Sequence, residues 1–304
     1  MLCAAWAEVG PFRSTFWSLW DREEGRTLGH TRLRPGTPEL TIEGDRLELS
    51  SGSVRASLRL GESEPVEVVC PSGRGWGWTS KRAGVPLTGT IEADGRRWTV
   101  DGVGVDDQSA GYQARHTRWS WSAGVGRTVD GRDIAWNLTA GINDPIHGSE
   151  RAIWIDGEPF EPEPVVFTGL GTVGFLGGDR LDFQVGESAA PADRVSTADG
   201  PSTAESPAAA PGPGPPPERR RHDNFGLIRS DYVHRFGTFT GTLPLHGSPA
   251  AESPSSPAAK NPSAPPGENP GSSSGENPGS PSGSGAGIEL AEATGVMEEH
   301  IAVW

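Results

Sequence analysis

Cysteine is nearly absent from the 304-residue chain: Cys3 and Cys70 are the only two, and no CxxC or Cys/His spacing exists. That excludes a disulfide framework and a standard zinc site, and a reducing, cytoplasmic setting is the expectation. Helical periodicity is missing too. No window of about twelve residues sustains i, i+3, i+4 apolar spacing outside the Ala-rich tracts, and glycine, at 43 residues, recurs too often for stable helices. Long apolar runs are also lacking. The opening stretch MLCAAWAEVGPFRSTFWSLW has no basic n-region and is broken by Pro11, Arg13 and Asp21, so neither a signal peptide nor a membrane span is expected. It reads as a strand pair entered abruptly, with further sequence expected upstream. Positive charge is in deficit. Lys and Arg number 26 against 40 Asp and Glu, a net −14 that repels phosphate backbones and argues against a nucleic-acid partner. Dinucleotide fingerprint, P-loop and GxSxG elbow are all absent, so no cofactor and no familiar nucleophile are expected.

Aromatic residues are absent from two stretches that are rich in proline. Residues 187–222 and 247–285 hold 17 of the 28 prolines and none of the 22 aromatics. Such segments bury too little apolar surface to offset chain entropy, so both are expected to be disordered insertions in loops. The second contains a short duplication, GENPGS at 267–272 and 275–280. The run Arg219, Arg220, Arg221 lies in the first and reads as a solvated tether. The resulting division is an N-terminal β region (1–105), a second β region (106–186), the first insertion (187–222), a strand pair (223–246), the second insertion (247–285) and a C-terminal strand (286–304).

What remains is strand-like. Alternating runs flank Ser51-Gly52 within 45–60, Asp94-Gly95 within 86–105, Asp130-Gly131 between 112–126 and 132–142, and Asp156-Gly157 between 151–155 and 158–167. Asp-Gly between alternating runs is a hairpin signal, so the expected fold is all-β, antiparallel and meandering. A barrel is favoured because closure removes exposed edges.

Tryptophan is the most informative residue for function. Trp76 and Trp78 lie two apart, as do Trp119 and Trp121, so each pair shares a strand face and either fills a core or lines an apolar pocket. The densest polar cluster is DDQSAGYQARHTR at 106–118, where Tyr112, His116 and Arg118 share strand parity. Asp107 with His116 is a candidate acid–base pair, and a strand-entry turn explains the same residues. At the C-terminus Glu298 and His300 share a face and form a second candidate pair, with a solvated edge strand as the alternative. Asn143-Asp144-Pro145, with His147 and Glu150, reads as a turn, and no metal site is expected there. Asn137-Leu138-Thr139 matches a glycosylation acceptor but falls in an expected strand.

The blocks GRGWGWTSKRAGVPLTG (73–89), DDQSAGYQARHTRWSWSAGVGR (106–127), NLTAGINDP (137–145), SERAIWIDGE (149–158) and GVMEEHIAVW (295–304) together resemble an uncharacterised bacterial family, domain of unknown function 2804. That family is distantly similar to lipocalin-like double-barrel proteins that include carotenoid hydratases and other isoprenoid-modifying enzymes. The resemblance implies a lipocalin-like barrel or double barrel and an apolar ligand, an isoprenoid or lipid. Trp76, Trp78, Lys81, Tyr112, Trp119, Trp121 and Asn137 are the expected ligand-binding residues. Acid–base addition or cyclisation on an alkene needs a carboxylic acid held protonated by burial. The resemblance points to Asp107 or Glu298 in that role, with His116 or His300 as partner. Three functions stay open: a binder of an apolar small molecule, a hydratase- or cyclase-type enzyme acting on one, and a structural β protein without a ligand. Oligomeric state is not indicated.

Overall fold

A computed structural model describes residues 1–10, 12–32, 39–186, 217–224, 229–250 and 287–303. Among them there is no helix, and every strand pair is antiparallel. Three strands, β1 (Leu2–Val9), β2 (Phe12–Asp21) and β3 (Arg26–Arg32), form one small sheet. A six-stranded sheet follows: β4 (Leu40–Glu43), β5 (Arg46–Ser51), β6 (Val54–Leu60), β7 (Val66–Ser72), β8 (Gly75–Ala93) and β9 (Arg96–Gly111). The third sheet has 11 strands. These are β10 (His116–Thr128), β11 (Asp133–Ala140), β12 (Ala152–Ile155), β13 (Glu158–Glu161), β14 (Val165–Thr168), β15 (Thr172–Phe175), β16 (Arg180–Val185), β17 (Glu218–Asn224), β18 (Arg229–Leu243), β19 (Ser248–Pro249) and β20 (Ile288–Val303).

The Asp-Gly signals hold. Asp94-Gly95 and Asp156-Gly157 are two-residue turns between Ala93 and Arg96 and between Ile155 and Glu158, and all four turn residues have positive φ, as a type I′ hairpin demands. Asp130-Gly131 sits in a longer loop, closed where Thr128 bonds both the Asp130 carboxylate and the Arg132 backbone. Two expected runs are shorter than read. The run 158–167 splits into β13 and β14 because Pro162 and Pro164 cannot donate to a ladder. The run 112–126 begins as strand only at His116.

The large sheet curls into a half-barrel. Its order runs β14-β15-β16-β18-β20-β10-β11-β12-β13-β19, and β14 comes back against β11. The concave side is filled by side chains. Trp136, Leu138, Ile153, Val173, Leu181, Phe183, Phe239 and Met297 pack there, with Trp136 edge-on to Phe239 at 5.0 Å. Each such buried side chain contributes about 1.5–3 kcal/mol. A second core joins the small sheet to the six-stranded one through Trp17, Leu19, Leu40, Leu49, Val54, Leu58 and Ile91.

Most of the two proline-rich stretches lies outside the described residues; their margins do not read as expected. Residues 218–222, placed in the first insertion, belong to β17, and Ser248–Pro249, placed in the second, form β19. Arg219 is therefore no solvated tether. It donates to the Tyr232 hydroxyl, to Trp17 O and to the Thr31 hydroxyl, tying β17 to β18, β2 and β3. The division drawn at 105/106 runs through the middle of β9.

Candidate functional site

The convex face of the large sheet packs against the six-stranded sheet, and one glycine determines what meets there. On β8, Ala83 pairs with Val105 but Val85 pairs with Gly104, a bulge at Gly84, whose φ of +68° suits a residue without a Cβ. The extra residue shifts the β8 register by one, so that Lys81 rather than Arg82 stands opposite Asp107. Upstream on β9, the even-numbered Trp98 and Val100 pack into the second core. Beyond the bulge the odd-numbered Val105 packs across the seam with Val66, Ala83, Ala135 and Trp154, and Asp107 follows it on the same face, paired with Lys81.

Lys81 is 3% exposed and forms ion pairs with Asp107 and with Glu150 Oε2, the latter at 3.4 Å. Glu150 is 4% exposed and Asp107 36%, so Asp107 is the member of the trio that reaches solvent. Burial opposes the Lys81 charge, but the two carboxylates outweigh it and hold the ammonium above its ordinary range. Burial pushes the Glu150 carboxyl up; Lys81 pulls against that, Asp107 pushes with it, and the net direction is up. Asn143 Nδ2 donates to Glu150 Oε2 at 2.9 Å. The loop carrying Asn143 and Glu150 is itself fixed. Arg151, 1% exposed, donates to the carbonyls of Asp144, Pro145 and Ile146, and Glu161 accepts from the Gly148 and Ser149 amides.

A second titratable group lies on the same sheet face. Glu298 of β20 pairs in register with His234 of β18 and Trp121 of β10. Its two oxygens take one imidazole each, His234 Nδ1 at 3.3 Å and His300 Nδ1 at 3.4 Å. Burial pushes Glu298 up, but hydrogen bonds from both imidazoles and their charge bring it down to about 2. Burial likewise opposes the charge on His234, and Cys3 and Glu298 overcome it and raise it to about 10. His300 Nε2 bonds the Ser230 hydroxyl at 2.8 Å, and its ring lies 4.1 Å from Trp119 and 5.5 Å from Tyr232. The two groups are linked. Trp121, beside Glu298, donates from Nε1 to Asn137 Oδ1 at 2.8 Å, and Asn137 Nδ2 donates to Glu150 O at 2.8 Å.

Among the residues singled out in the sequence, Lys81, Asp107, Trp119, Trp121, Asn137, Glu298 and His300 thus lie along one seam. Four others do not. Trp76 is 43% and Tyr112 74% exposed, edge-on to each other on the outside, with Trp78 half-buried on that side, because Gly77, Thr79 and Lys81 are the inward residues of β8. His116 is exposed at the start of β10 and is not paired with Asp107, since residues 112–115 carry the chain from one sheet to the other and end the parity expected of Tyr112, His116 and Arg118. Glu298, expected as a protonated acid, is held as a carboxylate instead, and the carboxyl pushed upward is Glu150. Asn137 is fully buried, so its acceptor motif carries no glycan. Among the described residues no three His, Cys, Asp or Glu side chains converge as a metal site. His234 carried no sequence signal beyond its place in a strand. Glu150 was noticed only as a turn residue.

An all-β, antiparallel, lipocalin-like protein with a buried polar seam between its sheets is the class these features define. Residues 21–168 match the model of the family described as Domain of unknown function (DUF2804), the family that the sequence blocks resemble; the block at 295–304 falls outside the matched stretch. Among solved structures the chain is similar to kievitone hydratase from Nectria haematococca, with a TM-score of 0.53 and 10% identity over 98% of this chain and 82% of that one. It is also similar to an AttH-type protein from Nitrosomonas europaea, with a TM-score of 0.43 and 11% identity over 96% of this chain and 82% of that one. No curated protein matches by sequence. No helix among the described residues is long and apolar enough to cross a membrane.

Proposed function

We propose that the chain binds a small, flat, unsaturated molecule at the seam and adds or removes water across a double bond by acid–base chemistry. The observation that carries this is the opposite poise of two carboxyls on one sheet face, Glu150 pushed up and Glu298 held down at about 2. Groups driven apart in this way divide into proton donor and proton acceptor. In this reading Glu150 and Lys81 form the proton reservoir, Asp107 presents the proton at the solvent side, and the Glu298–His300 pair takes one up. Trp119, His300 and Tyr232 offer a ring wall against which a conjugated apolar molecule stacks. The similarity to a protein named as a hydratase supports the reaction class. The net charge of −14 keeps nucleic acid out of the reading, and a reducing compartment suits the two free thiols.

The test pairs binding with turnover. A panel of conjugated apolar compounds is titrated against tryptophan fluorescence, and each binder is then followed for loss or gain of its conjugated absorbance. The expected result is binding with slow absorbance change in the wild type, and binding without change in Asp107→Asn. Binding without change in the wild type would leave a carrier protein, and no binding across the panel would leave a structural one.

A further inference from the structure

Cys3 has no role in the proposed addition of water, and its surroundings differ from those of a structural thiol. Leu2 and Ala4 point into the second core, whereas Cys3, on the other face of β1, packs with Trp20, Phe236 and Val296. Its cross-strand partner is Ser18. His234 lies beside it, two residues before Phe236 on the same face of β18, with its ring 4.9 Å from Phe236. Three polar atoms here are buried without a hydrogen-bond partner among the described residues: His234 Nε2, Ser18 Oγ and Trp20 Nε1. Their residues are 3%, 2% and 2% exposed. Each atom can donate a hydrogen bond. The other nitrogen of His234 is held by Glu298. Buried donors are ordinarily paired, and three orphans beside one thiol mark a place fitted to a negatively charged atom.

We propose that Cys3 is a nucleophilic thiol backed by His234 and Glu298, and that its site takes α,β-unsaturated carbonyl compounds. His234, charged through its pairing with Glu298, holds the Cys3 sulfur as a thiolate through Nε2–H. The sulfur forms a bond to the β-carbon, the π pair of the C=C bond moves through the α-carbon to the carbonyl oxygen, and the enolate oxygen is met by the Ser18 hydroxyl and the Trp20 N–H. The His234 proton then passes to the α-carbon. The product is a thioether, no electron donor or acceptor is consumed, and the reverse steps release the carbonyl compound. A base oriented by a carboxylate, with donors at the developing oxyanion, is the arrangement that activates such nucleophiles.

Ionisable groups around His234 are Glu298 and His300 on β20, Tyr232 on β18, its register partner Arg219 on β17, and the Met1 amino group, which bonds Trp20 O. The test uses the intact chain and two probes, N-ethylmaleimide, an activated alkene that builds an enolate, and iodoacetamide, which reacts by displacement and builds none. Alkylation at each thiol is followed by peptide mass spectrometry. Cys70, buried and pushed up to about 11, serves as the internal control. Cys3 is expected to react with both probes at nearly constant rate down to about pH 6, where an ordinary thiol loses roughly tenfold per unit. His234→Gln is expected to restore that ordinary slope. Ser18→Ala is expected to slow the maleimide by about tenfold while sparing iodoacetamide, the signature of a lost oxyanion donor. A wild-type Cys3 rate that falls tenfold per unit below about pH 8, as for a free thiol, would overturn the proposal without recourse to any variant.

Discussion

Lys81 and Glu150 face each other across the seam, Nζ to Oε2 at 3.4 Å, with neither side chain more than 4% exposed. Removing the cation strands Glu150 and sets it against Asp107. Lys81→Met is therefore expected to lower stability by about 3–5 kcal/mol, as when one partner of a buried pair is removed. Lys81→Met combined with Glu150→Leu is expected to recover much of that loss. Urea unfolding midpoints measure both, and a single-variant loss below about 1 kcal/mol would place the pair with exposed ion pairs instead.

The Glu298–His234 pair sets a pH window. The carboxyl falls from 4.5 to about 2 on folding, so its contribution is complete above 4.5 and is lost as pH drops toward 2. The imidazole rises from 6.5 to about 10, so its contribution is complete below 6.5 and is lost as pH climbs through 10. Both contributions are whole between pH 4.5 and 6.5. Thermal melts across pH are expected to show Glu298→Gln flattening the acid limb and His234→Gln flattening the alkaline one. Profiles parallel to the wild type in both variants would contradict the pairing.

Gly84 offers a test of the bulge. An added Cβ there meets only Ala135 at 3.9 Å, so Gly84→Ala carries backbone strain without a clash and is expected to cost about 1–2 kcal/mol. Deleting Gly84 instead removes the extra residue, leaves Lys81 opposite Asp107 in a regular ladder, and takes away the local twist that a bulge gives the strand. The deletion is expected to destabilise more than the substitution. Denaturant titration of both variants settles the comparison, and equal losses would mean that the twist at the bulge adds nothing to stability.

Arg219 and Arg220 are adjacent but do different things. Arg219 joins three strands beyond its own, whereas Arg220 is exposed and among the described residues bonds only Glu218 of its own strand. Arg219→Ala is expected to cost about 1–3 kcal/mol, and Arg220→Ala less than about 0.5 kcal/mol. Melting temperatures of the two variants check this directly.

Strand content and turn placement were legible because Asp-Gly between alternating residues leaves few other conformations. The candidate site was legible only in part. Asp107 and Lys81 draw notice singly, but nothing local reveals that a bulge at Gly84 sets Lys81 opposite Asp107. The polar run 106–118 reads as one cluster at the entry to a strand, and only the change of sheets at residues 112–115 shows that Asp107 and His116 belong to different surfaces. Trp76 and Trp78 read as inward residues, filling a core or lining a pocket, because aromatic rings favour burial, yet the small residues alternating with them, Gly77 and Thr79, hold the inward positions. Glu150 and His234 gain their meaning from partners 69 and 64 positions away, Lys81 and Glu298, and no single-sequence pattern carries such pairings.

The position of β20 has a further consequence during synthesis. It lies between β10 and β18 and is hydrogen-bonded to both along most of its length, although residues 288–303 follow both in the chain. On a translating ribosome the two flanking strands emerge well before the one that separates them. Until it arrives, each presents an open edge to any extended peptide nearby. The nascent chain therefore holds a vacant slot at the centre of its largest sheet, and the interval before that slot is filled is when a chaperone would be needed most.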